Sequence, residues 1–204
     1  MSEFLLQLRR VVGLEVVTSL AARRAMMVAT FALLTALGAY AAVPLPGTPA
    51  PVTLQTMVVI LAGALLGPRL GAASQVAYLA VGAAGLPVFS SGGAGVAWLF
   101  GPTGGYLLAF PVAAALTGVL AGRLPEAGAS GVVRALGLAR LTGALAVGTA
   151  VILVGGAAQL AVLTGDVERA ITLGVVPFLM GGMLKIVGAL LVAARLRRRT
   201  LGLV

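Results

Sequence analysis

Long apolar runs dominate the hydrophobic pattern of the chain, and short segments rich in arginine, glycine or proline separate them. A helix that crosses a bilayer needs about 20 mostly apolar residues. The runs therefore predict six membrane-spanning helices, with breaks at residues that stop a helix or carry charge. The predicted spans are 25–43, 52–66, 70–86, 105–121, 141–163 and 170–194.

The segments outside these spans predict a three-part organisation. Residues 1–24 hold arginines around a short apolar piece, which is typical of an amphipathic segment on the cytoplasmic surface. Residues 25–195 form the six-helix membrane domain, and residues 196–204 form a basic cytoplasmic tail.

Arginine placement predicts the orientation in the membrane. If the N-terminus is cytoplasmic, every arginine except Arg169 falls in an inner segment. Lysine and arginine concentrate in cytoplasmic loops of membrane proteins. We therefore expect an all-α integral membrane protein with six transmembrane helices and both termini cytoplasmic.

Composition narrows the chemistry. The chain is 60% apolar and 9% charged, whereas soluble domains carry roughly a quarter charged residues. It has no cysteine and no histidine, which excludes disulfides, thiol chemistry and histidine-based catalysis. None of its acids lies inside a long apolar run, and no phosphate-binding Gly-x-x-x-x-Gly-Lys motif is present. We expect no enzyme activity, catalytic residue, metal or cofactor.

The net charge of +9 has a topological explanation. In a soluble protein it would favour nucleic acid as a partner. Here the arginines lie in short clusters between apolar runs, so we expect membrane lipids around the chain and no nucleic acid.

Lys185 is the single lysine and lies inside the sixth predicted span, some 15 Å along the helix from Arg195. A lysine at this depth usually faces a cavity or a partner. The alternatives are snorkelling to the interface or a structural contact with backbone carbonyls. No span contains an acid to neutralise Lys185, so an anionic ligand, such as a carboxylate, is the functional hypothesis.

Other polar and small residues suggest a binding site or ordinary helix packing. Thr53 and Gln55 open the second span, and Tyr78 shares a face of the third span with Ser74 and Gln75. These groups could bind a solute, or could bond between helices, as is common in bundles.

The glycine-rich stretch 86–106 holds Phe89, Trp98 and Tyr106, a pattern that suits a lid with apolar anchors or an outer loop with interfacial aromatics. Ala25 and Ala29 make a small-residue ridge that could meet a partner helix or pack within the bundle.

Four segments resemble the BioY family, the biotin-specific S components of energy-coupling factor (ECF) transporters. They are 51–56, 61–71, 85–89 and 101–106, which read PVTLQT, LAGALLGPRLG, GLPVF and GPTGGY. The resemblance implies an ECF S-component-like bundle of six helices in a bacterial cell membrane. It also implies biotin capture from the outer side, with a transmembrane coupling protein and ATPase subunits as partners that supply the nucleotide sites.

The resemblance also implies site residues. By their positions in the matching motifs, the candidate ligand-binding residues are Gln55, Tyr78, Phe89, Thr103, Tyr106 and Lys185. The Ala25-x-x-x-Ala29 pair resembles the family's first-helix motif that meets the coupling protein. One position departs from the family. The family's sixth helix usually reads Pro-Phe-Leu-Pro-Gly-Asp-x-x-Lys, whereas residues 177–185 read PFLMGGMLK, with Gly182 in place of the acid.

Biotin combines an anionic valerate, an apolar thioether ring and a polar ureido group. The residues permit Lys185 to balance the carboxylate or to contact the ureido oxygen. Gln55, Tyr78 and Thr53 could satisfy the ureido group, while the set Phe89, Trp98 and Tyr106 could cover the ring. Two alternatives stay open: an S component for another small vitamin, and a non-transporting membrane scaffold.

Overall fold

The computed structural model describes residues 19–122 and 130–200, and for 197–200 the backbone alone. The helices are α1 (Leu20–Tyr40), α2 (Gln55–Ala83), α3 (Gly104–Ala121), α4 (Gly131–Thr164), α5 (Val167–Gly174) and α6 (Leu179–Thr200). Two short antiparallel strands, β1 (Ala42–Val43) and β2 (Val52–Thr53), pair between α1 and α2. Short 3-10 helices lie at Ser90–Gly92, Val96–Phe100 and Val176–Phe178.

Local sequence signals mark several helix ends. The hydroxyls of Ser19 and Ser130 accept bonds from the N–H three residues later, at 3.1 and 3.4 Å, and so begin α1 and α4. Gly165 ends α4 with a φ of 71°, a conformation that glycine adopts without steric cost. The Asp166 carboxylate then accepts a bond from the Arg169 N–H at 3.0 Å and begins α5.

A turn interrupts α2. Gly67 has φ 79° and ψ 179°, which is not helical, and Pro68 follows it. A Cβ built on Gly71 would lie 2.9 Å from the Cα of Gly63, although residues eight apart in a straight helix are about 12 Å apart. The chain therefore folds back at Gly67, between the second and third predicted spans.

The helices are suited to a membrane. Five of the described helical stretches are long and apolar enough to cross a bilayer: Leu20–Tyr40, Gln55–Ala83, Gly104–Ala121, Gly131–Thr164 and Val167–Leu196. Large apolar side chains such as Val154, Val162 and Met180 are 66%, 83% and 77% exposed on the bundle surface. So much exposed apolar surface is expected where lipid tails surround a protein.

The structure corrects the predicted limits of the last two spans. The fifth was expected from Leu141, but α4 begins at Gly131, so residues 131–140, which lie between the fourth and fifth predicted spans, are helical. The sixth was expected to be continuous, but α5 ends at Gly174 and α6 begins at Leu179. Pro177 lies in this break and has no N–H to donate.

The predicted terminal segments lie partly outside the described residues. Of the amphipathic segment 1–24, residues 1–18 are not described, and the helix α1 begins at Leu20. Of the basic tail, residues 201–204 are not described, and α6 continues to Thr200.

Small residues let the central helices approach closely. A Cβ on Gly63 of α2 would overlap the Ala114 carbonyl of α3, and one on Gly105 of α3 would overlap the Gly155 carbonyl of α4. Such backbone contacts favour dense packing of helices in a membrane. They place α2, α3 and α4 at the centre of the bundle.

Candidate functional site

A cavity opens at the end of the bundle where α2 and α3 begin. It holds about 600 Å³ of empty space, part of which is open to the outside of the protein. The lining residues come from the β1–β2 connection, β2, α2, the loop after α2, α3, α4, the 3-10 helix before α6, and α6: Ala50, Pro51, Thr53, Gln55, Thr56, Ser90, Thr103, Tyr106, Leu107, Phe110, Thr149, Ile152, Leu153, Phe178, Gly182 and Lys185.

Lys185 provides the positive charge of the cavity wall. It is partly buried, and its Nζ donates a hydrogen bond to the Thr56 Oγ1 at 3.0 Å. This bond joins α6 to the first turn of α2, across 129 positions of sequence. Because Lys185 faces the cavity, it is held away from the lipid-facing surface, as expected for an intramembrane lysine.

The amide of Gln55 belongs to a chain of hydrogen bonds behind the cavity. Thr53 Oγ1 donates to Gln55 Oε1 at 3.2 Å, and Gln55 Nε2 donates to the Tyr78 hydroxyl. Tyr78 in turn donates to the Val88 carbonyl at 3.2 Å. Thr53 and Gln55 line the cavity, whereas Tyr78 lies behind Gln55 and orients it.

Tyr106 forms another part of the cavity wall. Its hydroxyl donates to the Gly174 carbonyl at 2.6 Å, and its ring lies 5.8 Å from that of Phe178. A side chain on Gly156 would overlap the Tyr106 ring, so glycine is required there. Tyr106 thus holds the segment between α5 and α6 in place where it borders the cavity. Thr103, the residue before α3, also lines the cavity.

Phe89 and Trp98 lie outside the cavity lining. Phe89 is 1% exposed and packs edge-on against Tyr78, with ring centroids 5.6 Å apart. Trp98 packs against Gly93, where a Cβ would overlap its ring. Both aromatics therefore anchor the loop from within rather than facing the cavity.

Three side chains hold the loop 84–103, which contains most of the glycine-rich stretch 86–106 predicted as either a lid or an outer loop. Tyr40 donates to the Pro87 carbonyl at 2.7 Å, and Tyr78 contacts Val88 as described above. Gln159 donates to the carbonyls of Leu99 and Gly101, at 3.1 and 2.6 Å. The loop is tied to α1, α2 and α4 and contributes Ser90 and Thr103 to the cavity.

The structure brings five of the eight predicted binding residues to one cavity: Lys185, Gln55, Thr53, Thr103 and Tyr106. Tyr78, Phe89 and Trp98 do not line it. Among the polar lining residues, sequence reasoning missed Thr56, Ser90 and Thr149. Thr56 is next to Gln55 in a segment already singled out, whereas Thr149 is one threonine in a long apolar helix and carries no signal of its own.

The two alanines assigned to a partner surface lie elsewhere. Ala25 and Ala29 are both exposed, near the start of α1. The bundle does not cover them, so packing within the described part of the chain does not account for this ridge.

The apolar helices and the cavity between them define the class: a multi-pass membrane protein with a partly open pocket inside its helix bundle. The sequence then identifies the family. Residues 12–201 match the model of the BioY family. The chain belongs to the BioY family.

Similar proteins from distant organisms also carry the BioY name. The chain is 39% identical over 179 residues to "Probable biotin transporter BioY" of Pyrococcus horikoshii, covering 88% of this chain and 99% of the relative. It is 35% identical over 171 residues to "Biotin transporter BioY" of Thermotoga maritima, covering 82% and 92%.

A solved structure shares the fold. The crystal structure of the S-component for biotin from an ECF-type ABC transporter superposes with a TM-score of 0.75 at 26% identity. The match covers 88% of this chain and 93% of that chain.

Proposed function

We propose that the chain is the membrane-embedded subunit that captures biotin for uptake by an ECF transporter. The observation that carries the proposal is the cavity with Lys185 in its wall, in a chain whose relatives are named biotin transporters. Biotin is then the transported ligand and no cofactor is required. The two relatives described above carry transporter names rather than enzyme names, in keeping with a non-enzymatic role.

Each part of biotin has a candidate partner in the cavity. The Lys185 ammonium can balance the valerate carboxylate or donate to the ureido oxygen, and both bonds would be charge-assisted. Thr53, Gln55 and Thr103 offer hydroxyl and amide groups to the polar parts of the ligand. The ring of Tyr106 offers an apolar surface to the thioether ring.

The proposal includes six crossings of the membrane with both termini cytoplasmic. The reversal at Gly67 supports two crossings by α2, because Gly71 returns to lie against Gly63. The arginine distribution supports the orientation, since Arg169 alone falls in an outer segment. The cavity then opens toward the outer side, from which biotin would enter.

Energy would come from partner subunits. The chain carries no phosphate-binding Gly-x-x-x-x-Gly-Lys motif, and the matched crystal structure is a component of an ABC-type transporter. We place the contact with the coupling protein at Ala25 and Ala29, where small exposed residues allow a close approach of another helix.

Ligand-dependent thermal stability tests the function. The purified protein in detergent is heated with biotin, with other water-soluble vitamins and with no ligand. Biotin should raise the unfolding temperature in a concentration-dependent way, since a ligand that binds the native state stabilises it. Stabilisation by another vitamin but not by biotin would assign a different substrate. No stabilisation by any of these vitamins would contradict capture and favour the scaffold.

A further inference from the structure

We infer that the cavity selects ligands by charge: Lys185, held by Thr56 and left without an acidic neighbour by Gly182, favours a carboxylate-bearing ligand over a neutral one of the same shape. This inference rests on the proposed function and specifies which part of the ligand Lys185 recognises. Thr56 acts as a positioning residue, and Gly182 determines specificity.

The first step is the position of the ammonium. Lys185 Nζ bonds to Thr56 Oγ1 at 3.0 Å, and Thr56 is its single hydrogen-bond partner in the described part of the chain. An ammonium has three N–H donors. The bond to Thr56 fixes the direction of the flexible lysine side chain and leaves two donors for a ligand.

The second step is the absence of a countercharge in the cavity wall. Within residues 19–122 and 130–200, no aspartate or glutamate lines the cavity. The two acids in those ranges, Asp166 and Glu168, lie at the start of α5. A charge taken out of water is costly unless it is paired, so an anion in the cavity supplies what the wall lacks.

The third step concerns Gly182, one turn before Lys185 on the same face of α6 and also part of the lining. A Cβ built there would meet the nearest atom, Thr149 Cγ2, at 3.4 Å, which is an ordinary contact. At Gly156, by contrast, a Cβ would overlap Tyr106. Packing therefore requires glycine at 156 but not at 182, where a side chain would project beside Lys185.

The test compares biotin with biotinamide, which keeps the skeleton of biotin and replaces its carboxylate with a neutral amide. Affinities are measured by calorimetry for the wild-type protein, Gly182→Asp and the matched uncharged variant Gly182→Asn. The wild-type protein should bind biotin about tenfold or more tightly than biotinamide, because the charge-assisted bond is the stronger one. Gly182→Asp should bring this ratio close to one, while Gly182→Asn should retain it.

Thr56 gives an independent readout if Gly182→Asp does not yield folded protein. Thr56→Val removes the hydroxyl at nearly constant shape and should lower the biotin-to-biotinamide ratio, and Thr56→Ser should restore it. A merely structural role would weaken both ligands equally and would overturn the inference.

The outcomes separate the two proposals. Equal binding of biotin and biotinamide by the wild-type protein would overturn charge selection while leaving biotin capture intact. A ratio in Gly182→Asp that equals the wild-type ratio would also overturn it. If the wild-type protein bound neither ligand, the proposed function itself would fail, and this inference with it.

Discussion

Replacing Lys185 with methionine should weaken biotin binding without unfolding the protein. Methionine keeps the length and apolar stem of the side chain but removes the ammonium that faces the cavity. The Thr56 hydroxyl loses its donor, while the apolar contacts of α6 with the bundle are retained.

The expected magnitude follows from the bond that is lost. A hydrogen bond to a charged group contributes about 1.5–3 kcal/mol. Each 1.4 kcal/mol corresponds to a factor of ten in Kd, so the Kd for biotin should rise roughly tenfold to a hundredfold. In the unliganded protein, the same change removes an ammonium that has no acid beside it in the described cavity wall, so the unfolding temperature should not fall.

The assay is calorimetric titration of biotin into purified Lys185→Met, with thermal unfolding of the unliganded protein alongside it. Arg169→Met is the matched control, because it removes a basic side chain that lies outside the cavity lining. Its Kd should equal that of the wild-type protein. An unchanged Kd for Lys185→Met would refute the reasoning, since the ammonium would then contribute nothing to ligand binding.

Further predictions concern packing, the loop and the partner surface. Gly63→Ala should destabilise the protein by about 1–3 kcal/mol, measured by thermal unfolding, because its Cβ meets the Ala114 carbonyl. Gly143→Ala, where a Cβ meets open space, should leave the stability unchanged or higher, and equal effects would contradict this account. Gln159→Leu removes two bonds to the loop after α2 and should speed both biotin release and proteolysis of that loop; wild-type rates would show that these bonds do not hold it. Ala29→Leu should retain biotin binding in detergent but reduce copurification with the coupling protein and ATP-dependent uptake; unaltered uptake would place the contact elsewhere.

Two glutamines that look alike in sequence, Gln55 and Gln75, have different roles in the fold. Gln75 accepts a bond from Thr35 of α1 at 3.2 Å and is fully buried, so it joins two helices. Gln55 lies at the start of α2 and reaches the cavity. Helical spacing predicts that Gln75 and Tyr78 share a face, but it does not tell whether that face meets another helix or an empty space.

The amino-acid sequence by itself determined the features that depend on neighbouring residues. Apolar runs of helical length predicted the membrane helices, because a chain in lipid must satisfy its backbone hydrogen bonds within each helix. Gly67-Pro68 marked the reversal in α2. Lys185 stood out because a charge within an apolar run is costly and requires a compensating environment.

The tertiary structure alone decided which side chains share the cavity. Thr56 meets Lys185 from a position 129 residues away, and Phe89 packs against Gly82 and lies outside the cavity lining. Both outcomes depend on the rotation of each helix about its axis and on how closely small residues let helices approach. Those quantities arise from contacts among several helices at once, so no single segment of sequence contains them.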